Sequence, residues 1–413
     1  MRRAALAHNR PLASGGLSRP PSIPTVALAA IFAVAMAATT VSTPIYPLYM
    51  SAFGLSSLQI TVVFAAYGIG VMGGLFVTGR LSDHIGRKPP LAGALVVAIA
   101  AMTCFIAAQG LGLLLVGRFL IGLTAGVYTG TATAWLVDLD TNRDRATKVA
   151  VAANLGGLAL GPAYAGVLAQ FAPSPLRTTY VVELVLLAVG LIVHLRLPET
   201  VKRRAVDLDF AGIVPPAEVR AVFLPAATAG VAAFGVSGVF GSVGPGMLHE
   251  VLGITAPTVS GALLATLFVM SVAGQFMTRR LAPQVALPAG CVALALGLGL
   301  LVVSLVAETV VAVFAAAVVA GIAQGVIVGG GLGLLTARAP ADRRSQVAST
   351  YFLVLYIGLV VPVIAFGLVE SSIGLVDAGY VFSAVVGVAA VASGAAVRRT
   401  AGRGLGEGVG STA

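Results

Sequence analysis

The chain has 413 residues, 58% of them hydrophobic and only 10% charged, and its mean hydropathy is +1.01. Soluble domains carry about 25% charged residues, so water is excluded as the main solvent; twelve spans of about 20 residues each leave no room for a large soluble domain. The formal charge of +10 is scattered through short gaps between apolar runs, which argues against a nucleic-acid partner and for a role in setting membrane topology.

In chain order, Arg2, Arg3, Arg10 and Arg19 precede an apolar run from Thr25 to Tyr49. That run is too long for the apolar core of a secretory signal, so residues 1–24 are read as an N-terminal tail and the run as a first span. Apolar stretches between charged or Pro/Gly-rich breaks predict spans at 25–47, 58–79, 90–109, 111–136, 147–171, 178–197, 221–246, 256–278, 285–306, 308–337, 346–369 and 374–397. They group as 25–197 and 221–397, joined by a linker at 198–220 that contains Lys202, Arg203, Arg204 and Pro215-Pro216, with a tail at 398–413. Cys104 and Cys291 fall inside apolar segments, where they act as small hydrophobes, and no disulfide framework is expected.

One face collects 23 of the 25 lysines and arginines, in the tails and in the loops at 80–88, 143–148, 196–220, 279–280 and 338–344. The other face holds only Arg177, and Arg118 lies within a span. The positive-inside bias therefore predicts cytoplasmic termini and an even number of spans. The halves also repeat: Pro47 recurs as Pro245 at an offset of 198, Gly54 as Gly253, Gly122 as Gly321 and Gly126 as Gly325 at 199, and Asp144-Arg145 as Asp342-Arg343 at 198. A duplicated six-span unit places a solute site between the halves near the bilayer midplane.

The loop after span two reads Gly79-Arg80-Leu81-Ser82-Asp83-His84-Ile85-Gly86-Arg87-Lys88. Gly79 and Gly86 allow tight turning, Arg87 and Lys88 hold the loop at the cytoplasm, and Asp83 can face a helix N-terminus, with span eleven near Ser345 as the candidate. The sequence resembles the signature loop of the major facilitator superfamily, G-x-L-x-D-R-x-G-R-K/R. The resemblance implies that Asp83 locks the two halves on the cytoplasmic side. His84 stands where the family usually has arginine, so the basic relay there is expected to be weak or pH-dependent. The matching stretch Gly274–Arg280 keeps Arg279 and Arg280 without an acid, which predicts an asymmetric latch.

Span four carries Arg118-Phe119-Leu120-Ile121-Gly122 followed by Gly126 and Gly130. Glycines at four-residue steps form one close-packing stripe, and an arginine about 10 Å into the hydrocarbon needs a cavity or a partner. Span five reads Gly156-Gly157-Leu158-Ala159-Leu160-Gly161-Pro162-Ala163-Tyr164-Ala165-Gly166, a kinked helix. The first resembles the family's R-F-x-x-G-x-x-x-G motif. The second resembles the G-x-x-x-G-P-x-x-x-G motif of its antiporter branches, placing Gly157, Gly161, Pro162 and Gly166 in the moving parts. The only acid well inside a span is Glu183 in span six, at about the depth of Arg118; Asp138 sits at the cytoplasmic end of span four, and span one has no acid. A pair in which protonation of Glu183 frees Arg118 is the candidate proton-coupling device, with a static ion pair as the alternative. Polar candidates for the pathway are Thr39, Thr40, Asn154, Gln275, Gln324, Tyr351 and Tyr356; each alone is as readily an interhelical hydrogen bond.

Gly235-Val236-Ser237-Gly238 matches the G-x-S-G of intramembrane serine proteases, but His8, His84, His194 and His249 lie in the tail, in loops or near span ends, so no base reaches Ser237. No H-E-x-x-H, Cys/His cluster or Walker-type loop occurs. The expectation is an all-α integral membrane protein, not an enzyme, with twelve transmembrane helices in two pseudo-symmetric six-helix bundles. It is read as a monomer in the cytoplasmic membrane, taking a small-molecule substrate and protons, with no cofactor and the proton gradient as driving force. Proton-coupled efflux of small, amphipathic compounds leads, ahead of facilitated or symport uptake of a nutrient and of a non-transporting receptor or scaffold.

Overall fold

The computed structural model describes residues 22–200 and 215–406, and the only regular structure among them is helical. Twelve helical stretches are long and apolar enough to cross a membrane. The first is broken: α1 (Ile23–Thr40) passes through a 3₁₀ turn at Thr43–Ile45 into α2 (Tyr46–Phe53), because Pro44 and Pro47 supply no N–H to continue the ladder. Then come α3 (Ser57–Ile85), α4 (Lys88–Ala107), α5 (Leu111–Leu139), α6 (Arg143–Phe171) and α7 (Pro175–His194). The second half repeats the plan with α8 (Ala217–Ser242), α9 (Gly244–Glu250), α10 (Pro257–Thr278), α11 (Pro283–Ala307), α12 (Val310–Arg338), α13 (Arg344–Ile373) and α14 (Leu375–Gly406). The break between α8 and α9, with Pro245 in the second piece, mirrors that between α1 and α2.

Most spans begin or end a few residues from the expected positions, with α3 running on to Ile85 and α13 to Ile373. Spans one and seven are each two helices rather than one, since hydropathy does not sense a missing backbone donor. Of the expected linker, residues 201–214 lie outside the described residues, and α8 already begins at Ala217. The last helix runs past 397 to Gly406.

Lipid tails give helices no hydrophobic reason to associate, so close backbone contact has to do it. Gly122 and Gly126 of α5 lie on the Tyr67 and Val71 carbonyls of α3, opposite Gly70 and Gly74, and a Cβ at any of the four would collide with backbone. In the second half Gly321 and Gly325 of α12 sit likewise on the Leu267 and Ser271 carbonyls of α10, opposite Gly274. The large side chains turned outward, such as Phe76, Phe171, Leu296 and Val388, suit acyl chains.

The halves meet along two seams. On one, Gly166 of α6 lies against Pro257 of α10, and Gly261 against the Pro162 carbonyl. On the other, Gly68 of α3 meets Val360 of α13, Gly367 meets Thr61, and Ser57 Oγ donates to Glu370 Oε1 at 2.6 Å. These last contacts close the face opposite the basic loops. Nearer the basic face, α3 and α13 flank a cavity of about 450 Å³ whose walls include Leu75, Thr133, Val137, Asp138 and Phe352.

Candidate transport pathway and coupling site

Polar side chains gather in three places. The first is the basic loop after α3. That helix ends at Gly86 with φ +98°, a conformation glycine adopts freely, and a Cβ there would run into the Glu199 carboxylate. Glu199 Oε1 accepts from the Arg87 N–H at 3.1 Å and Oε2 from the Lys88 N–H at 2.9 Å, so an acid sits on the positive end of α4. Lys88 Nζ donates to the Leu195 and Leu197 carbonyls at 2.8 and 3.0 Å, and Arg87 Nε pairs with Asp138 at 3.2 Å. These two basic residues therefore stitch α4 to α5 and to the end of α7. The side chains of 77–84, among them Gly79 and Asp83, lie outside the described residues, and so does the contact expected between Asp83 and span eleven.

The basic stretch of the second half meets an acid of the first. Arg279, just past α10, reaches Asp144 of the first half at 2.6 Å. Both side chains are well exposed, and such pairs contribute about 0–1 kcal/mol.

The second gathering is a buried layer in the first half. Arg118 is 1% exposed; its Nη1 donates to the Thr39 carbonyl at 2.7 Å and its Nη2 to the Tyr46 hydroxyl. The guanidinium also lies over the Tyr46 and Phe64 rings, 5.2 and 5.7 Å from their centroids, an attractive placement for a desolvated cation. The break in the first span creates this site: Thr39 is in the last turn of α1, where carbonyls lack an intrahelical donor, and Tyr46 opens α2.

On α7, Tyr180 and Glu183 are both 0% exposed. The Tyr49 hydroxyl donates to that of Tyr180 at 2.9 Å, and Phe105 stacks on the Tyr180 ring at 4.8 Å. Glu183 Oε2 accepts a hydrogen bond from the Tyr164 hydroxyl of α6, while its Oε1 is buried without a partner. The expected Arg118–Glu183 pair does not form: Arg118 is held by Thr39 and Tyr46, Glu183 by Tyr164, and among the described residues no ion pair joins them. Equal depth along two helices says nothing about the direction in which their side chains point.

The kinked motif of α6 packs two ways. Gly157 and Gly161 lie on the Ala33 and Ala37 carbonyls of α1. Pro162 cannot donate to the Leu158 carbonyl, and Thr40 Oγ1 does so instead at 3.1 Å. The opposite side of the same turn, through the Pro162 carbonyl and Gly166, faces α10.

The third gathering is the cavity between α3 and α13. Arg87, Asp138 and Arg143 stand among its walls, where Thr129 and Thr133 are also found, their hydroxyls donating to the Ala125 and Thr129 carbonyls of their own helix. Asn154, Gln275, Gln324, Tyr351 and Tyr356 are not among those walls. The Tyr356 ring packs edge-on against Phe234 at 5.4 Å. Tyr351 is buried against Gly230 and Gly331, Gln324 is buried in α12 with Oε1 unpartnered, and Asn154 and Gln275 are half-buried. The sequence reading passed over Tyr46, Tyr49, Tyr164, Tyr180 and Glu199. A usable signal existed for Tyr180, which lies one turn from Glu183 on the same stripe.

Two bundles of six spans, a cavity between them open towards one face, and ionisable side chains buried inside the spans define a membrane transporter rather than an enzyme. The chain matches the Major Facilitator Superfamily over residues 28–363 and belongs to that family. It is 38% identical over 92 residues to the multidrug resistance protein MdtL of Citrobacter koseri and 35% over 94 residues to that of Klebsiella pneumoniae. These matches cover 22% of this chain and 23% and 24% of those relatives, so the similarity spans about a quarter of their length. Among solved structures, a bacterial homolog of the human lysosomal transporter Spinster superposes with a TM-score of 0.73 at 17% identity, covering 91% of this chain and 96% of that one. The nucleoside transporter NupG gives 0.72 at 13% identity, covering 90% and 99%.

Proposed function

We propose that this transporter is a monomeric, proton-coupled exporter of small amphipathic compounds in the cytoplasmic membrane, with its basic face and both termini in the cytoplasm. The observation that carries the reading is Glu183, an acid with no exposed surface inside a span. Such residues are costly and persist where an ion or proton is handled. A proton taken from water on the outer face and returned to water on the inner face supplies the driving force while the halves rock about their seams. The partial likeness to multidrug resistance proteins supports export, and Leu75, Val137 and Phe352 give the cavity an apolar wall for the non-polar part of a substrate.

A panel of dyes and antibiotics offered to inside-out vesicles, with and without a protonophore, tests this. Accumulation that the protonophore abolishes is expected. Protonophore-insensitive flux would point to facilitated diffusion, and no flux with any compound to a receptor or scaffold.

A further inference from the structure

The proton on Glu183 has to be felt between the halves, yet α7 packs on α1, α4 and α6 and lies on neither seam. Resting on the reading of Glu183 as the coupling acid, we infer that Tyr164 is the positioning residue through which Glu183 acts on the α6–α10 seam. The Tyr164 hydroxyl is the one hydrogen-bond partner Glu183 has among the described residues. Tyr164 stands between Pro162 and Gly166, the two α6 residues that touch Gly261 and Pro257 of the other half. This turn of α6 is also weakened internally, because the Leu158 carbonyl draws its hydrogen bond from Thr40 of α1 instead of from its own helix. A pull on Tyr164 therefore acts where α6 is most easily displaced and where displacement reaches α10.

The chemistry of the bond supplies the pull. Ionised Glu183 can only accept, and the Tyr164 O–H is then a charge-assisted donor, roughly twice as strong as a neutral one. Protonated Glu183 brings its own O–H, the bond becomes neutral, and α6 is held to α7 less tightly. Other groups facing this site are few. Tyr180 shares α7, Tyr49 approaches from α2 through Tyr180, and Arg118 of α5 and Tyr164 lie within electrostatic reach of Tyr180. Helix α1 has no charged side chain, and α4 brings Phe105, with Cys104 its only titratable group outside its first turn.

The test needs no identified substrate. In full-length protein with Cys104 and Cys291 replaced by serine, a cysteine at Thr133 in the cavity wall is labelled from the basic face of inside-out vesicles by a membrane-impermeant maleimide, across a pH series. Labelling rates, corrected for the thiolate fraction that itself drives the maleimide reaction, are expected to follow one titration. Glu183→Gln should flatten it, and Tyr164→Phe should move its midpoint upward by about one pH unit or more, the loss of one hydrogen bond to an ionised group. Tyr164→Gln, which restores a donor, should return the midpoint towards the parent value. If Glu183→Gln leaves the titration unchanged, the coupling acid is misassigned. If Glu183→Gln flattens it while Tyr164→Phe keeps the parent midpoint, the role of Tyr164 alone is overturned. Should the phenylalanine variant not fold, amide exchange across 163–166 of the parent, corrected for intrinsic rates, decides. Faster exchange on protonation that Glu183→Gln abolishes supports the inference, and exchange independent of pH overturns it.

Discussion

The two halves share a backbone and differ in their chemistry. The α3–α5 seam of the first half, built on Gly122 and Gly126, is repeated by the α10–α12 seam on Gly321 and Gly325. At the same offset of 199, however, Arg118 becomes Ala317, Tyr180 becomes Gly379 and Glu183 becomes Phe382. The repeat keeps the contacts that let helices associate in lipid, whereas the Arg118–Tyr46 and Glu183–Tyr164 hydrogen bonds belong to the first half alone.

The sharpest way to break this comparison is to remove the arginine. Arg118→Leu deletes the cation that binds the Thr39 carbonyl and the Tyr46 hydroxyl, and each hydrogen bond to a charged group contributes about 1.5–3 kcal/mol. Thermal unfolding in detergent should reveal a loss of about 3 kcal/mol; an unchanged midpoint would mean the layer does not hold the first half together.

The next effect should be the same on both sides. Gly126→Val and Gly325→Val each drive a side chain into a facing carbonyl, that of Val71 or of Ser271, and should each cost the upper part of the about 1–3 kcal/mol typical of overpacking. Unequal losses would mean that the two seams are not equivalent.

Smaller still is the contact closing the face opposite the basic loops. Ser57→Ala leaves both oxygens of the buried Glu370 carboxyl without a partner and should weaken closure by about 1 kcal/mol, read as faster maleimide labelling of a cysteine at Thr61 from that face.

The smallest effect concerns the turn between α5 and α6. The hydrogen bond from Arg145 holds the Asp140 carboxyl below the usual carboxylate range. A depressed acid stabilises above its ordinary pKa and loses that contribution as pH falls through its folded value. Acidification below about pH 4 should therefore loosen this turn, read by hydrogen exchange at 140–146, and Asp140→Asn should show no such response. At an offset of 198 from Asp140 the second half has Arg338, so this particular acid is confined to the first half.

Much of the fold was legible in the sequence because membrane solvent imposes simple rules. Apolar length gave the spans and their number, and the constant glycine offset gave the matching α3–α5 and α10–α12 seams. The breaks at Pro47 and Pro245 were not legible, since both prolines lie in runs that hydropathy reads as continuous. The site was legible only in its charges. Arg118 and Glu183 stand out in any apolar stretch, whereas Tyr46, Tyr49, Tyr164 and Tyr180 look like ordinary aromatic residues near a membrane interface. Which tyrosine serves which charge depends on the rotation of each helix about its own axis, and a chain with few polar residues leaves little periodicity from which to read it. Glu199 escaped notice because an acid in a basic loop reads as surface charge until the N-terminus of α4 is found beneath it.

The account rests on a proton carried in the first half. Two buried carboxyls allow a direct comparison, Glu183 of the first half and Glu370 of the second, at 0% and 8% exposure. Proton-driven dye accumulation in inside-out vesicles should be measured across pH for Glu183→Gln and Glu370→Gln. The account predicts that accumulation loses its pH dependence only in Glu183→Gln; a Glu183→Gln profile identical to the parent, with Glu370→Gln flat, would contradict it.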